Sequence, residues 1–278
     1  MTETKKQAML SGRRMDTLQR EPLVSLWVVF RTFEHSNFGF IFKHMNQLNI
    51  DNQEIARYAA SAGHWWDHSG QLKALHDINP LRIQYVLDRA DIKGKPVLDV
   101  GCGGGIVSEA LAASGARVTG IDMAVPALNV ARLHAQENGL EIDYREDTAE
   151  SLARKHAGRF DIVTCMELVE HVPDPASVVK ACADLVHPGG HLFFATVNRT
   201  WLARLLVIWV AEYVLGVVSK GTHTYARFVR PEELERWGRA AGLSCENISG
   251  MRYLPFVGYA ALCKNTAMNY LMHFKKEV

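Results

Sequence analysis

Within five positions, Glu167, Glu170 and His171 gather side chains capable of acid–base and metal chemistry. If the segment is helical, the i, i+3, i+4 spacing puts two carboxylates and an imidazole on one face. Such a set suits a divalent cation. The same triplet also reads as a capped or solvated acidic turn in which His171 stands alone as a base, since an imidazole ordinarily titrates near ~6.5. A second group lies earlier. Val97-Leu-Asp-Val-Gly-Cys-Gly-Gly-Gly105 places four glycines where a buried strand turns into a helix, and Asp122 follows 21 positions after Gly101. Residues without Cβ let the backbone approach a ligand at such a turn, and an acid at that distance can take both hydroxyls of a ribose.

A dinucleotide fingerprint would need glycine at position 106, where Ile106 stands. Asp99, just before the loop, is also poorly suited to sit beside a pyrophosphate. D-x-G-x-G-x-G instead suits a ligand without phosphates, such as S-adenosylmethionine; a glycine turn without a ligand is the plainer alternative.

The elements that must position these groups alternate. Pro96–Val100 reads as a strand, followed by a helix from Ile106, strand Arg117–Ile121, helix 125–138 and strand 141–146. A helix near 149–155, strand Phe160–Cys165, helix 175–186 and strand His191–Val197 complete the series. Ahead of them, 52–66 and 79–90 read as helices, with Asn79 as N-cap and Pro80 in the first turn. Strands alternating with helices predict an α/β fold with a mostly parallel sheet and helices on both faces.

Composition narrows the function classes. Thirty-one Lys+Arg against 30 Asp+Glu leave a net charge of +1, so no global basic field calls for nucleic acid. The five cysteines are odd in number and form no C-x-x-C pair, which argues against a disulfide framework or a zinc finger and fits a reducing compartment. No run reaches the roughly 18–20 apolar residues of a spanning helix. Residues 1–50 are basic and aromatic and form a separate extension. They read as a membrane-surface arm, a disordered tail, or sequence upstream of a working start at Met45.

Phe160-Asp-Ile-Val-Thr-Cys165 and Leu185-Val-His-Pro-Gly-Gly190 complete, with the glycine loop and Asp122, an ordered set that resembles the motifs of class I S-adenosylmethionine-dependent methyltransferases. Over about residues 50–275 the chain is more specifically similar to the bacterial ubiquinone-biosynthesis O-methyltransferase family. The marks are Trp65-Trp66-Asp67, Leu75-His76-x-Ile-Asn79-Pro80-Leu-Arg82, Cys165-Met166-Glu167-x-x-Glu170-His171-Val-Pro-Asp-Pro175, Lys220-Gly-Thr-His223 and Pro231-x-Glu-Leu234.

The resemblance implies a Rossmann-like, mostly parallel seven-stranded sheet with N-terminal helices and a small helical cap, in a methyltransferase domain spanning 51–278. It implies S-adenosyl-L-methionine held by Arg82, Gly101, Asp122 and Met166, and magnesium held by Glu167, Glu170 and His171. The implied activity is methyl transfer to phenolic hydroxyls of polyprenyl catechol intermediates of ubiquinone synthesis, at both O-methylation steps. A phenol, with a pKa near ~10, is mostly protonated at neutral pH. Its proton must be taken by His171 or displaced by a metal, and one imidazole nitrogen cannot do both.

Leu205–Val218 is 14 residues long with one charge, flanked by Arg199, Arg204 and Lys220. As a helix it would run about 21 Å, too short for a ~30 Å hydrocarbon core. It reads as a core helix of the cap or as an interfacial helix that meets anionic lipid and admits the polyprenyl substrate. The expected partners are that substrate, the membrane surface and other ubiquinone-biosynthesis proteins, with no nucleic acid. The expected place is the cytoplasm, at the periphery of the inner membrane. Lys220, Thr222 and His223 are expected on a loop over the acceptor. The chain departs from the family at Tyr253-Leu254-Pro255, where Leu254 replaces a polar residue expected near the substrate pocket. The rival readings are a methyltransferase for another phenol and an assembly subunit that binds the cofactor without transferring its methyl.

Overall fold

The computed structural model describes residues 48–205, 225–254 and 257–278. Residues 1–47, the apolar segment from Leu206 onward, and Lys220, Thr222 and His223 lie outside the described residues. In chain order the elements are α1 (Asn52–Ala60), α2 (Lys73–Leu87), β1 (Pro96–Val100), α3 (Ile106–Ala113), β2 (Arg117–Asp122), α4 (Val125–Glu137), β3 (Asp143–Glu146), α5 (Ala149–His156), β4 (Phe160–Met166), α6 (Pro175–Leu185), β5 (Val186–Val197), α7 (Pro231–Ala240), β6 (Leu243–Leu254), β7 (Tyr259–Cys263) and β8 (Asn269–Lys276).

One sheet runs in the order β3-β2-β1-β4-β5-β8-β6-β7. The first five strands are parallel, with Val97 level with Val118 of β2 and Ile162 of β4. The last three join antiparallel. Helices cover both faces, so successive strand residues serve two cores. Phe194 packs with Val179, Cys182 and Leu234 beneath α6 and α7. Its neighbour Phe193 points the other way, into the layer of Tyr85, Val86 and Leu111 from α2 and α3. Both phenylalanines are fully buried, and truncating either to alanine should cost about 3–5 kcal/mol.

The α/β fold is as expected, with three differences, the first being that the helix expected over 52–66 ends at Ala60. Among the described residues the sheet has eight strands, because the chain after β6 doubles back as β7 on the outer edge. The second helix begins at Lys73 rather than at Asn79, so Pro80 lies inside it. Its ring nitrogen has no hydrogen for the carbonyl a turn earlier, yet packing carries the helix through. Ile78, Arg82, Ile83, Tyr85 and Val86 are buried along it, and the Asn79 side chain, rather than capping the helix, donates to the Ile106 carbonyl at 3.0 Å. Among the described residues no helix is long and apolar enough to cross a membrane.

Candidate active site

Strand order reverses between β1 and β4, where chain connections leave in opposite directions and a crevice opens at the carboxyl ends. A cavity of about 340 Å³ lies there. The glycine loop forms its floor. Gly101, Gly103 and Gly105 have φ of 73°, 51° and 94°, in the left-handed region that side chains resist. A Cβ on Gly103 would stand 2.2 Å from the Trp65 indole, which lies across Gly103 and Gly104. Trp66 donates from Nε1 to the Gly104 carbonyl at 3.0 Å. The tryptophan pair thus seats the segment before α2 on the loop.

Asp122, at the end of β2, accepts from the Gly103 and Ala124 amides at 2.9 and 2.7 Å. Burial nevertheless pushes its carboxyl above the usual range. Asp99 lies beneath, accepting from Ser108 Oγ at 2.7 Å and Thr164 Oγ1 at 2.8 Å, and burial pushes it up to about 6. Gly101, Asp122, Met166 and Arg82 all line this one cavity. Arg82 comes from α2 and donates to Glu167, while its Nε has no partner. Glu167 directly follows β4 and is the one non-glycine residue with positive φ among those described, at 55°. A residue held there against its preference marks a constrained site.

Glu167–His171, whose three side chains would share a face if the segment were helical, is a turn, closed by the His171 amide on the Leu168 carbonyl at 2.8 Å. The turn faces the three side chains differently. Among the described residues no three acidic, histidine or cysteine side chains converge as a metal cage. Glu167 is balanced by Arg82. Glu170 is buried, and neither carboxylate oxygen meets a hydrogen-bond donor. Desolvation and the neighbouring Glu167 charge hold it well above the usual carboxylate range. His171 turns toward α1 instead, with Nδ1 3.1 Å from Glu54 Oε2 and Nε2 3.1 Å from the Tyr58 hydroxyl. The two oxygens of Glu170 beside Glu167 fit a cation, and the His171 nitrogens here meet Glu54 and Tyr58.

Glu54, Tyr58, Trp65 and Tyr253 also line the cavity, and sequence reasoning named none of them as a site residue. The signals for them were the tryptophan pair and the Tyr253-Leu254-Pro255 stretch; Glu54 and Tyr58 had none. Tyr253 donates to Asp77 Oδ2 at 2.7 Å, beside the Lys73 ammonium at 2.5 Å. Leu254 does not line the cavity and is exposed. Strand alternation sends it opposite to Tyr253, so the family departure at that position falls outside the pocket.

A methyltransferase-domain family model matches residues 74–248. Ubiquinone biosynthesis O-methyltransferases from Marinobacter nauticus and Pseudomonas aeruginosa are each 50% identical to the chain. The alignments cover 82% of this chain, and 97% and 99% of those proteins. The relative from Aromatoleum aromaticum is 51% identical, over 83% of this chain and 99% of its own. The chain belongs to the ubiquinone biosynthesis O-methyltransferase family. It is therefore an S-adenosylmethionine-dependent O-methyltransferase. Solved structures carry the fold further afield. A possible histamine N-methyltransferase from Thermotoga maritima superposes with a TM-score of 0.58 at 18% identity, over 81% of this chain and 99% of that one. Magnesium protoporphyrin IX methyltransferase from Synechocystis, with bound S-adenosylhomocysteine, gives 0.56 at 16% identity, over 90% and 100%.

Proposed function

We propose that the enzyme methylates phenolic hydroxyls of polyprenyl catechol intermediates at both O-methylation steps of ubiquinone synthesis, with His171 as general base. The observation that carries this reading is the position of His171. It lines the same cavity as Gly101, Asp122, Met166 and Arg82, and its ring is braced on a carboxylate. When bound, S-adenosylmethionine would be held at the glycine loop by Gly101, Asp122, Met166 and Arg82, an acid suiting ribose hydroxyls and a guanidinium suiting a carboxylate. The acceptor oxygen attacks the sulfonium methyl. The O–CH₃ bond forms as the S–CH₃ bond breaks, its electron pair stays on sulfur, and the phenolic proton passes to His171. The product is an aryl methyl ether beside neutral S-adenosylhomocysteine.

Glu167 and Glu170 are the donors we assign to magnesium. When bound, such a cation would lower the pKa of a nearby phenol by its charge. Residues 1–50 form an extension to the domain at 51–278. The segment about 199–220 meets an anionic membrane surface on the cytoplasmic side, where the substrate and other ubiquinone-biosynthesis proteins would be reached. Transfer of labelled methyl from S-adenosylmethionine to a short-chain prenyl catechol tests the reading. Turnover that His171→Ala removes, with S-adenosylhomocysteine still bound, supports it; a fully active His171→Ala overturns the base. Flotation with anionic liposomes tests the membrane contact, and protein left at the bottom of the gradient removes it.

A further inference from the structure

We propose that Asn269, the first residue of β8, is a specificity-determining residue for the acceptor: its side-chain oxygen takes the hydrogen of the catechol hydroxyl that is not being methylated. The inference rests on the acceptor being a catechol. Asn269 lines the same cavity as Gly101, Asp122 and Met166, and its Oδ1 is buried with no hydrogen-bond partner. A buried amide oxygen ordinarily meets a donor within the chain. Two other asparagines of the same sheet end up paired in this way. Asn198 donates from Nδ2 to the Thr266 carbonyl at 2.8 Å, and Asn247 Oδ1 accepts from Tyr85 and Arg89. An unpaired buried oxygen is destabilising, so its place in the cavity wall points to a donor that arrives with the ligand.

Strand order decides between cofactor and acceptor. Asp122 ends β2 and Gly101 follows β1, whereas β8 lies three strands from β1, across β4 and β5. At roughly 4.8 Å per strand this places Asn269 about 14 Å from β1, on the far side of Met166 at the end of β4. Alternation along β8 fixes its face. Tyr270 enters the layer beneath α6 and α7, its hydroxyl donating to the Val229 carbonyl at 3.1 Å, and Leu271 joins Phe193 and Tyr85. Asn269, two residues before Leu271, shares that second face, the one α2 covers. The backbone is held firmly there. Asn269 is level with Val197, the Asn198 amide donates to the Met268 carbonyl at 2.8 Å, and Thr200 Oγ1 donates to the Ala267 carbonyl at 2.5 Å. The chemistry then sorts the two hydroxyls of a catechol. The one that is methylated loses its hydrogen, while its neighbour keeps one and can donate. An oxygen that accepts from the neighbour turns the ring so that the other oxygen meets the sulfonium methyl.

The test uses the full chain, S-adenosylmethionine and a short-chain prenyl catechol, whose two hydroxyls give distinguishable methyl ethers. The wild type should form one ether. Asn269→Leu keeps the volume and removes the oxygen. Its kcat/KM should fall roughly 10- to 100-fold, the second ether should appear among the products, and S-adenosylhomocysteine affinity by calorimetry should be unchanged. Asn269→Asp keeps an accepting oxygen at the same reach and should retain the single ether, a distinction that a merely space-filling residue would not make. Asn269→Ala, which leaves room for the ring, repeats the test should leucine distort the strand. Two ethers from the wild type, a single ether from both apolar variants, or a loss of S-adenosylhomocysteine affinity as large as the loss of kcat/KM would overturn the inference. Two outcomes keep it apart from the reading beneath it. A wild type that binds S-adenosylhomocysteine but methylates no catechol removes that reading first; wild-type rate and product pattern in Asn269→Leu remove the inference alone.

Discussion

His171 and His273 are both buried histidines hydrogen-bonded to a side chain, and they sit in opposite circumstances. His171 stands at the carboxyl end of the parallel strands, braced on Glu54, with Glu167 held at positive φ four residues before it. Around it lie buried polar atoms without partners, namely Trp65 Nε1, Arg82 Nε and both oxygens of Glu170. His273 lies on β8, bonded through Nε2 to His191 Nδ1 at 2.9 Å and stacked on Phe193 with ring centroids 4.6 Å apart. Its surroundings are closed. Tyr85 and Arg89 both donate to Asn247 Oδ1, at 2.9 and 3.2 Å, and Arg89 caps the Tyr85 ring. Buried polar groups are normally satisfied within the chain. The contrast is between a region whose polar groups pair within the chain and one that leaves several of them unpaired.

The largest effect should come from breaking the open region. His171→Ala is expected to lower kcat about 10²- to 10⁴-fold, the range for a general base, and calorimetry with S-adenosylhomocysteine should show unchanged affinity. The closed region should respond to pH instead. Burial depresses the His273 pKa from 6.5 to about 4. The folded chain therefore refuses a proton that the unfolded chain accepts, and stability falls as pH drops from about 6.5 toward 4, by up to about 3 kcal/mol. Thermal melts across that window should slope less steeply in His273→Phe; an unchanged slope would mean that the histidine pair is not so closed.

A finer test of the open region is the cation. Glu170→Gln should weaken Mg²⁺ binding at least roughly tenfold by calorimetry, while His171→Ala should leave it unchanged. If His171→Ala also loses the ion, the imidazole belongs to the ligand set after all. The smallest change is Tyr253→Phe, which removes one hydrogen bond to Asp77 at the cavity wall. It should cost about 1 kcal/mol in chemical denaturation, and no cost would show that the Lys73 pair holds Asp77 alone.

What could be read from the sequence follows from the range of the interactions. The strand and helix alternation, the glycine loop and Asp122 rest on local spacing, and a period-two or 3.6 pattern is visible within a dozen residues. Asp122 could be placed because β1 and β2 are adjacent strands joined by one helix. The choice between helix and turn at Glu167–His171 stayed open because i, i+3, i+4 spacing says which side chains a helix would align, not whether a helix forms. Glu54 and Tyr58 could not be paired with His171, since that contact depends on how α1 lies against the β4–α6 connection. The start of α2 was misplaced by a local rule that tertiary burial overruled: Pro80 marks a first turn only where nothing else holds the helix beyond it.

The tryptophan lying on Gly103 carries a consequence for how glycine loops are interpreted. Substitutions there are usually scored as damage to the ligand, but any side chain at position 103 strikes the Trp65 ring before a ligand arrives. A mutational scan of this loop would record intolerance even in the absence of selection for catalysis. Paired with truncation of Trp65, the same scan would separate what the loop owes to its guest from what it owes to its own lid.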